Sequence, residues 1–332
     1  MARKIIAGLL FVLLTLSLSG CAGGTPQKGA LPREINATYV ALPLNVPSIV
    51  AKDQQLFEKA FQPDGITFRY HNIVAGPAQT EGLAAGSLDF ASVLGGTSAL
   101  LARAQGVDLK VIANYSMSPR GFGIIVPAAA PTKSVADLKG KKVGTAKGTI
   151  AHQLLAAALA KAGLSTRDVQ FLHMELADAA TAVQAGQLDA AVVGEPLLTK
   201  AVASGKARLL TDGEGLINAQ IVVAVRGEFA KNYPDLVRRY LKVQQQAVDF
   251  VRAHRAEALA AAARENNMDL KAVEAIFPKY DFSLALDDKA VQELKHTAGF
   301  LKEVELLKPD VDVDKLVGEL VDPSFLPQEP AQ

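Results

Sequence analysis

One short segment of the sequence occurs twice. Residues 85–93 and 185–193 carry the same residue at six positions in register: two alanines, a glycine, a leucine, an aspartate and a valine. A single repeat at this distance is too widely spaced for a solenoid, whose units are about 20–50 residues long. Each copy has the pattern of a helix end followed by a short buried strand, and a glycine-containing turn then begins the next helix. The repeat predicts two similar α/β lobes whose glycine turns face each other across a cleft.

Length and composition agree with two lobes and exclude one class of partner. The 332 residues exceed the usual size of a single domain. Hydrophobic residues make up 49% of the chain and charged residues 21%, which is typical of globular proteins. Because 35 basic residues are balanced by 34 acidic ones, the sequence lacks the basic excess expected of a nucleic-acid-binding protein.

The first 33 residues have the pattern of an export signal followed by a linker. Arg3 and Lys4 precede an apolar run over residues 5–18, which is shorter than the roughly 20 residues that span a bilayer. Residues 18–21, Leu-Ser-Gly-Cys, resemble the lipobox of bacterial lipoproteins. That resemblance implies a signal peptide over 1–20, lipidation of Cys21 and a flexible linker over 21–33. The alternative is an ordinary secretory signal with an incidental cysteine.

Strand and helix patterns alternate along the rest of the chain, which indicates βαβ units and mostly parallel sheets. We predict that lobe 1 comprises 34–125 plus 222–332 and that lobe 2 comprises 126–221. Residues 48–61 are expected to form one helix, with Ser48 as its N-cap. Residues 114–121 are expected to form a polar loop, and residues 310–332 a loose C-terminal segment.

Four strand-to-helix turns, two in each lobe, are candidate ligand contacts. They lie at residues 45–48, 95–98, 147–152 and 194–197. In open parallel sheets, ligands bind beyond the carboxyl ends of the strands. Helix N-termini at that edge carry unpaired N–H groups and about half a positive charge, which favours an anionic or polar ligand.

Three segments resemble one known family. Residues 84–90, 134–143 and 147–152 resemble, in order and spacing, the sulfonate/nitrate/taurine/thiamine-pyrimidine group of periplasmic solute-binding proteins. The resemblance covers residues 35–322 and implies a type II periplasmic-binding-protein fold, with two α/β lobes, mostly parallel sheets and two hinge crossings. It also implies a monomer without cofactor or metal. Such a protein closes around a small organic anion or zwitterion and delivers it to the membrane permease of an ABC importer, from the periplasm or the outer face of the cytoplasmic membrane.

The same resemblance suggests which residues bind the ligand. They come from the four turns and from the predicted loop over 114–121: Asn45, Ser48, Gly96, Thr97, Asn114, Arg120, Thr149, His152 and Glu195. For His152, the two interpretations are a neutral imidazole that lines the cleft and a histidine held by a structural hydrogen bond.

Glu195 departs from the family pattern. Sulfonate and taurine binders tend to have an aromatic residue and Asp-Pro here, whereas this chain has Gly194-Glu195-Pro196. A carboxylate in the cleft would repel an anion unless it is paired with an amine or an arginine. We expect either Arg120 or the amine of a zwitterionic ligand to pair with it. The alternative is a helix N-cap that faces solvent.

Two other functions remain open at this stage. The first is an enzyme on the same fold, of the menaquinone-pathway or thiamine-pyrimidine-pathway type, and the second is a sensor that passes its ligand to a membrane receptor. A lone cysteine and the lack of a recognisable catalytic triad argue against an enzyme. Residues 310–314 imitate the start of a calcium loop but lack its later glycine and glutamate. We therefore predict a binding protein without a metal.

Overall fold

Two β-sheets carry the fold. The structure, a computed structural model, describes residues 31–40 and 45–327, so the predicted signal peptide and Cys21 lie outside the described residues. The strands of the described part are β1 (Glu34–Tyr39), β2 (Thr67–Asn72), β3 (Phe90–Gly95), β4 (Leu109–Met117), β5 (Phe122–Pro127), β6 (Lys142–Thr145), β7 (Gln170–His173), β8 (Ala190–Gly194), β9 (Ala207–Asp212), β10 (Gln220–Arg226) and β11 (Asp281–Phe282).

The helices cover both sheets. In chain order they are α1 (Val46–Asp53), α2 (Leu56–Phe61), α3 (Gly76–Ala84), α4 (Gly96–Ala104), α5 (Ile150–Lys161), α6 (Leu176–Gln184), α7 (Leu197–Ala203), α8 (Gly227–Asn232), α9 (Pro234–Ala253), α10 (Arg255–Glu265), α11 (Leu270–Ile276), α12 (Asp288–Glu303) and α13 (Val313–Leu320).

The chain crosses between the sheets twice. The six-stranded sheet has the order β11-β4-β10-β3-β1-β2, and the five-stranded sheet has the order β7-β6-β8-β5-β9. β1 is parallel to β2 and β3, and β6 is parallel to β7 and β8. β5 and β10, which follow the two crossings, run antiparallel to their neighbours. The crossings are therefore residues 118–121 and 213–219.

A long amphipathic helix, α9, covers one face of the six-stranded sheet. Leu236, Tyr240, Val243 and Ala247 recur at helical spacing and are buried. The Tyr240 ring stacks on Phe90 of β3 with 3.9 Å between centroids. Burial of the apolar face of α9 therefore stabilises the six-stranded sheet.

The repeated sequence adopts the same backbone conformation in both sheets. Gly86 and Gly186 follow α3 and α6 with φ of +72° and +71°, a left-handed conformation that ends a helix and favours glycine. Leu88 and Leu188 then turn inward and are buried. The shared residues therefore encode the helix-to-strand junction.

The repeated aspartate joins neighbouring strands in each sheet. The Asp89 carboxylate accepts a hydrogen bond from the Asn36 N–H at 3.0 Å. The Asp189 carboxylate accepts one from the Lys142 N–H at 2.8 Å. Asn36 lies in β1 and Lys142 begins β6, the central parallel strands of their sheets. The aspartates therefore fix β3 and β8 against equivalent partners.

Four local predictions were wrong. The helix predicted over 48–61 is broken into α1 and α2, because Gln55 adopts a left-handed φ of +55°. Ser48 is not the N-cap of α1, since the helix begins at Val46 and Asn45 occupies that position.

The other two corrections concern segments predicted to lack structure. Asn114–Met117 belongs to β4 because its backbone pairs with β10, and its polar side chains misled the prediction. The C-terminal segment contains α13, whose Leu316, Val317 and Leu320 are buried in the same apolar cluster as residues of α4 and α12. That segment is part of the core.

Candidate functional site

A cleft of about 530 Å³ lies between the two sheets, at the carboxyl ends of their parallel strands. Gly95 of the six-stranded sheet and Gly194 of the five-stranded sheet both line it. Much of its wall is apolar and is formed by strand residues together with residues of the adjoining helices and turns: Val40, Val93, Phe122, Ile150, Leu176 and Ile221. The polar side chains include Asn45, Gln79, Thr97, Ser98, Thr149 and Glu195. A ligand here would contact both sheets.

Two helix N-termini open into this cleft from opposite sheets. α4 follows Gly95, and α5 follows Thr149. Neither N-cap residue supplies a side-chain cap, and the Thr149 hydroxyl instead donates to the Ala146 carbonyl at 2.8 Å. Uncapped first-turn N–H groups attract an anion through hydrogen bonding and the helix dipole. The cleft therefore suits a molecule with an anionic group and an apolar body.

Four of the nine residues predicted to bind the ligand line the cleft: Asn45, Thr97, Thr149 and Glu195. Gly96 lies directly behind the wall as the first residue of α4 and is buried. A role in binding for these residues stays a prediction.

Ser48 and Asn114 are committed to contacts inside the six-stranded sheet's half of the molecule. The Ser48 hydroxyl lies 2.8 Å from the Tyr115 hydroxyl, and both are buried. The Asn114 amide donates to the Ser283 carbonyl at 2.9 Å and accepts from Gln220 at 3.2 Å. Both side chains support the strands behind the cleft and do not line it.

His152 lies in the first turn of α5. Its Nδ1 accepts a hydrogen bond from the Gly148 N–H at 3.2 Å. Its ring packs against Phe171 and Phe300, with centroid distances of 4.8 and 5.6 Å. Burial, and then the charges of Lys147 and His173, lower its pKa to about 4. The structure therefore gives His152 the structural hydrogen bond, not a place in the cleft wall.

Glu195 is paired within the protein, but not with Arg120. Its carboxylate accepts hydrogen bonds from the Thr199 N–H at 3.1 Å and the Thr199 hydroxyl at 2.9 Å, and it forms an ion pair with Lys279. The side chain is 0% exposed, so the solvent-facing alternative was also wrong. Arg120 instead donates to the Pro278 carbonyl at 3.0 Å. Burial, and then the charge of Glu195, raise the pKa of the neighbouring Tyr280.

Sequence reasoning missed a second pair of junctions that also line the cleft. Val74 and Gln79 come from the β2–α3 junction, and Glu175 and Leu176 come from the β7–α6 junction. The signal was available, because both junctions follow predicted strands at the same edge of their sheets. Lys200 of α7 lines the cleft too. Lys279 had no local signal at all, since it reaches Glu195 from 84 residues away.

Within residues 31–40 and 45–327, no cluster of three or more His, Cys, Asp or Glu side chains is arranged to hold a metal ion. In the same described ranges, no helix has both the length and the apolar character needed to cross a membrane.

Comparisons with known proteins agree with this geometry. A family model described as "NMT1/THI5 like" matches residues 46–258. A Bacillus subtilis protein named as an aliphatic sulfonates-binding protein is 29% identical over 315 residues, which cover 94% of this chain and 93% of that protein.

Two solved structures are also similar. The alkanesulfonate-binding protein SsuA of Xanthomonas axonopodis pv. citri, bound to MOPS, is 29% identical with a TM-score of 0.77, and the match covers 88% of this chain and 99% of that one. The periplasmic aliphatic sulphonate binding protein SsuA of Escherichia coli is 26% identical with a TM-score of 0.76, and the match covers 91% and 96%. The predicted fold class is confirmed, and these relatives are binding proteins, not enzymes.

Proposed function

Because the chain belongs to the NMT1/THI5-like family, we propose that it is the extracytoplasmic solute-binding protein of an ABC importer, and that its ligand is a small organic sulfonate. The relatives named above bind sulfonates by name, which supports the ligand class. Its partner in the membrane would be the importer's permease, and it would act as a monomer in the periplasm or at the outer face of the cytoplasmic membrane.

One observation carries this proposal: the N-termini of α4 and α5 open into a single, largely apolar cleft from opposite sheets. A sulfonate has three oxygens that can accept hydrogen bonds from the N–H groups of both helices. Its carbon chain would lie against side chains such as Val93 and Phe122. Burying that chain adds roughly 0.8 kcal/mol for each methylene removed from water.

The two sheets give a mechanism for capture. We propose that lobe 1, which contains the six-stranded sheet, and lobe 2, which contains the five-stranded sheet including β5, rotate about the two crossings at residues 118–121 and 213–219. A ligand that contacts α4 and α5 together favours the closed arrangement and shifts the population toward it. The permease would recognise the closed pair of lobes.

We also propose that Cys21 is lipidated and tethers the protein to the membrane, on the strength of the lipobox-like residues 18–21. Acyl chains on one residue suffice for stable anchoring only when there are several of them. Wild-type protein should fractionate with membranes, and Cys21→Ala should be released in soluble form. Release of both would contradict lipidation.

Isothermal titration calorimetry tests the ligand class. We expect butanesulfonate to bind and butylammonium, which has the same chain and the opposite charge, not to bind. Thr149→Asp places a negative charge at the N-terminus of α5. The charge is favourable for the helix, but it repels an anionic ligand at the same place. We therefore expect this variant to bind butanesulfonate about tenfold more weakly or worse.

Thr166→Asp is the matched control, because it introduces the same charge at a short helical turn outside the cleft. It should leave the affinity unchanged. Equal binding of butylammonium, or an unchanged affinity in Thr149→Asp, would contradict the proposal.

A further inference from the structure

Glu195 is a buried carboxylate in the wall of the cleft, and its ion-pair partner determines which ligand groups it can bind. We infer that Lys279, by pairing with Glu195, sets the ligand selectivity of the cleft and makes it reject sulfonates that carry an ammonium group. The inference rests on the proposed function, because it concerns which sulfonates the same cleft accepts. It concerns a residue that does not itself line the cleft.

The charge of Glu195 is already compensated by Lys279, and three of the roughly four acceptor positions of its carboxylate are used within the protein. One carboxylate oxygen accepts from the Thr199 hydroxyl and from Lys279, and the other accepts from the Thr199 N–H. The side chain is fully excluded from solvent, and Lys279 is 26% exposed. A ligand ammonium that took over the charge of Glu195 would have to displace Lys279. That exchange would leave one of the two cations without its anion in a partly buried site, which is strongly unfavourable.

The hydrogen bonds between Glu195 and Thr199 also prevent the N-terminus of α7 from binding an anion. Thr199 lies in the first turn of α7, and its N–H is satisfied by Glu195. The helix N-termini that remain for a ligand include those of α4 and α5. The Glu195–Lys279 pair has no net charge, so it neither repels a sulfonate nor attracts an amine.

Lys279 is held in place by contacts that do not involve the cleft. It ends the short 3-10 turn Phe277–Lys279, directly before β11 in the six-stranded sheet. Arg120 of the first crossing donates to the Pro278 carbonyl at 3.0 Å. The Tyr280 ring packs so closely on Gly121 that a Cβ there would lie 2.7 Å from the hydroxyl oxygen. The lysine therefore reaches Glu195 from a fixed segment.

The other carboxylate of the cleft wall does not take over this role. Glu175 is exposed to solvent at the start of α6. An ion pair in water contributes about 0–1 kcal/mol, so an amine gains little there. The dehydration of a ligand ammonium in the apolar part of the cleft is left uncompensated.

Two ligands that differ only by the amine test the inference: ethanesulfonate and 2-aminoethanesulfonate. We expect the wild type to bind ethanesulfonate at least about tenfold more tightly, since an uncompensated ammonium costs more than 1.4 kcal/mol. Lys279→Met exposes the Glu195 charge to the cleft and should reduce that preference by about tenfold or reverse it. Lys279→Arg keeps the ion pair and should keep the wild-type ratio.

Lys279→Gln covers the case in which Lys279→Met does not fold, because glutamine still donates a hydrogen bond to Glu195 while removing the positive charge. The double variant Glu195→Gln/Lys279→Met removes both charges and should restore the preference for ethanesulfonate. A purely structural role for Lys279 would weaken both ligands equally and leave their ratio unchanged.

The outcomes separate this inference from the proposed function. If ethanesulfonate and butanesulfonate both fail to bind the wild type, the proposed function is wrong. If they bind but the wild type does not discriminate against the amine, or if the ratio is the same in Lys279→Met or Lys279→Gln, the inference alone is overturned. If neither variant folds, the wild-type ratio decides.

Discussion

His152 shows how one buried side chain links this fold to pH. In the unfolded chain its pKa is expected near the ordinary value of 6.5, and in the folded protein burial lowers the pKa to about 4. Between these values the unfolded state binds a proton that the folded state does not bind. The contribution of His152 to stability is therefore present above pH 6.5 and is lost as the pH falls toward 4.

We predict that the protonation of His152 lowers the free energy of unfolding by roughly 3 kcal/mol as the pH falls from 6.5 to about 4. Each unit of pKa difference corresponds to about 1.4 kcal/mol. Urea denaturation at pH 7.5 and pH 4.5 measures the change. His152→Gln cannot titrate, so its stability should fall less between the two pH values than that of the wild type. Carboxylates titrate in both proteins, and the comparison cancels their effect. Equal losses in wild type and variant would contradict the prediction.

The residues of the site also show where sequence reasoning succeeds and fails. Thr97 and Thr149 lie in strand-to-helix turns of different sheets. The repeat and the family resemblance together predicted that both turns face one cleft, and both residues line it. The partner of Glu195 could not be predicted that way. Lys279 arrives from a segment with no repeat and no strand-to-helix turn, and the three-dimensional path of the chain selected it over Arg120.

At the scale of elements, the left-handed glycines after α3 and α6 account for part of the repeat. Gly186 has a φ of +71°, and a Cβ added there would meet no atom within 4 Å. Any effect of substitution therefore comes from the backbone conformation. We predict that Gly186→Ala lowers the free energy of unfolding by about 1 kcal/mol.

Gly299→Ala is the matched control for Gly186→Ala. Gly299 lies within α12, and a Cβ there also meets no atom within 4 Å. Alanine is favoured over glycine inside a helix, so this variant should be more stable than the wild type by roughly 0.5–1 kcal/mol. Chemical denaturation of the two variants should give changes of opposite sign, and the same sign in both would refute this account of the repeat.

Whether an element was predictable depended on whether its pattern was local. The strand before Gly194 was predictable because it is short, apolar and bounded by turn residues. The extension of β4 through Asn114–Met117 was not, since only pairing with β10, about one hundred residues later, makes those polar residues a strand. The break at Gln55 was equally hidden, because glutamine is a good helix former.

At the scale of the whole molecule, specific side-chain contacts join the two halves. Gln153 of α5 donates to Thr297 of α12 at 3.2 Å, and the Asn218 amide of the second crossing donates to Glu293 at 2.6 Å. The crossings are also tied to each other, since the Ser118 N–H donates to the Asn218 carbonyl at 3.0 Å. Ala219 beside it has a φ of +50°, which is strained for alanine. We expect these two short segments to accommodate any rotation of one half against the other.

We therefore predict that the halves move as bodies when a sulfonate binds. Moving a two-state equilibrium from 1:99 to 99:1 takes about 5.5 kcal/mol of differential affinity, which has to come from contacts that the ligand makes only in the closed arrangement. Spin labels at Asn72 and Leu172, exposed residues of the equivalent strands β2 and β7, report the separation of the lobes in a Cys21→Ser background, which contains no other cysteine.

Ethanesulfonate should shorten the distance between these labels in double electron–electron resonance, because contact with α4 and α5 together requires the two edges to approach. Labels at Leu172 and Val202 both lie in the five-stranded half and should keep their distance. A change in the second pair would mean that the half itself deforms. If calorimetry detects binding and the distance between the labels at Asn72 and Leu172 does not change, the cleft accepts its ligand without closure. The permease would then have to recognise the ligand itself, and not the closed lobes.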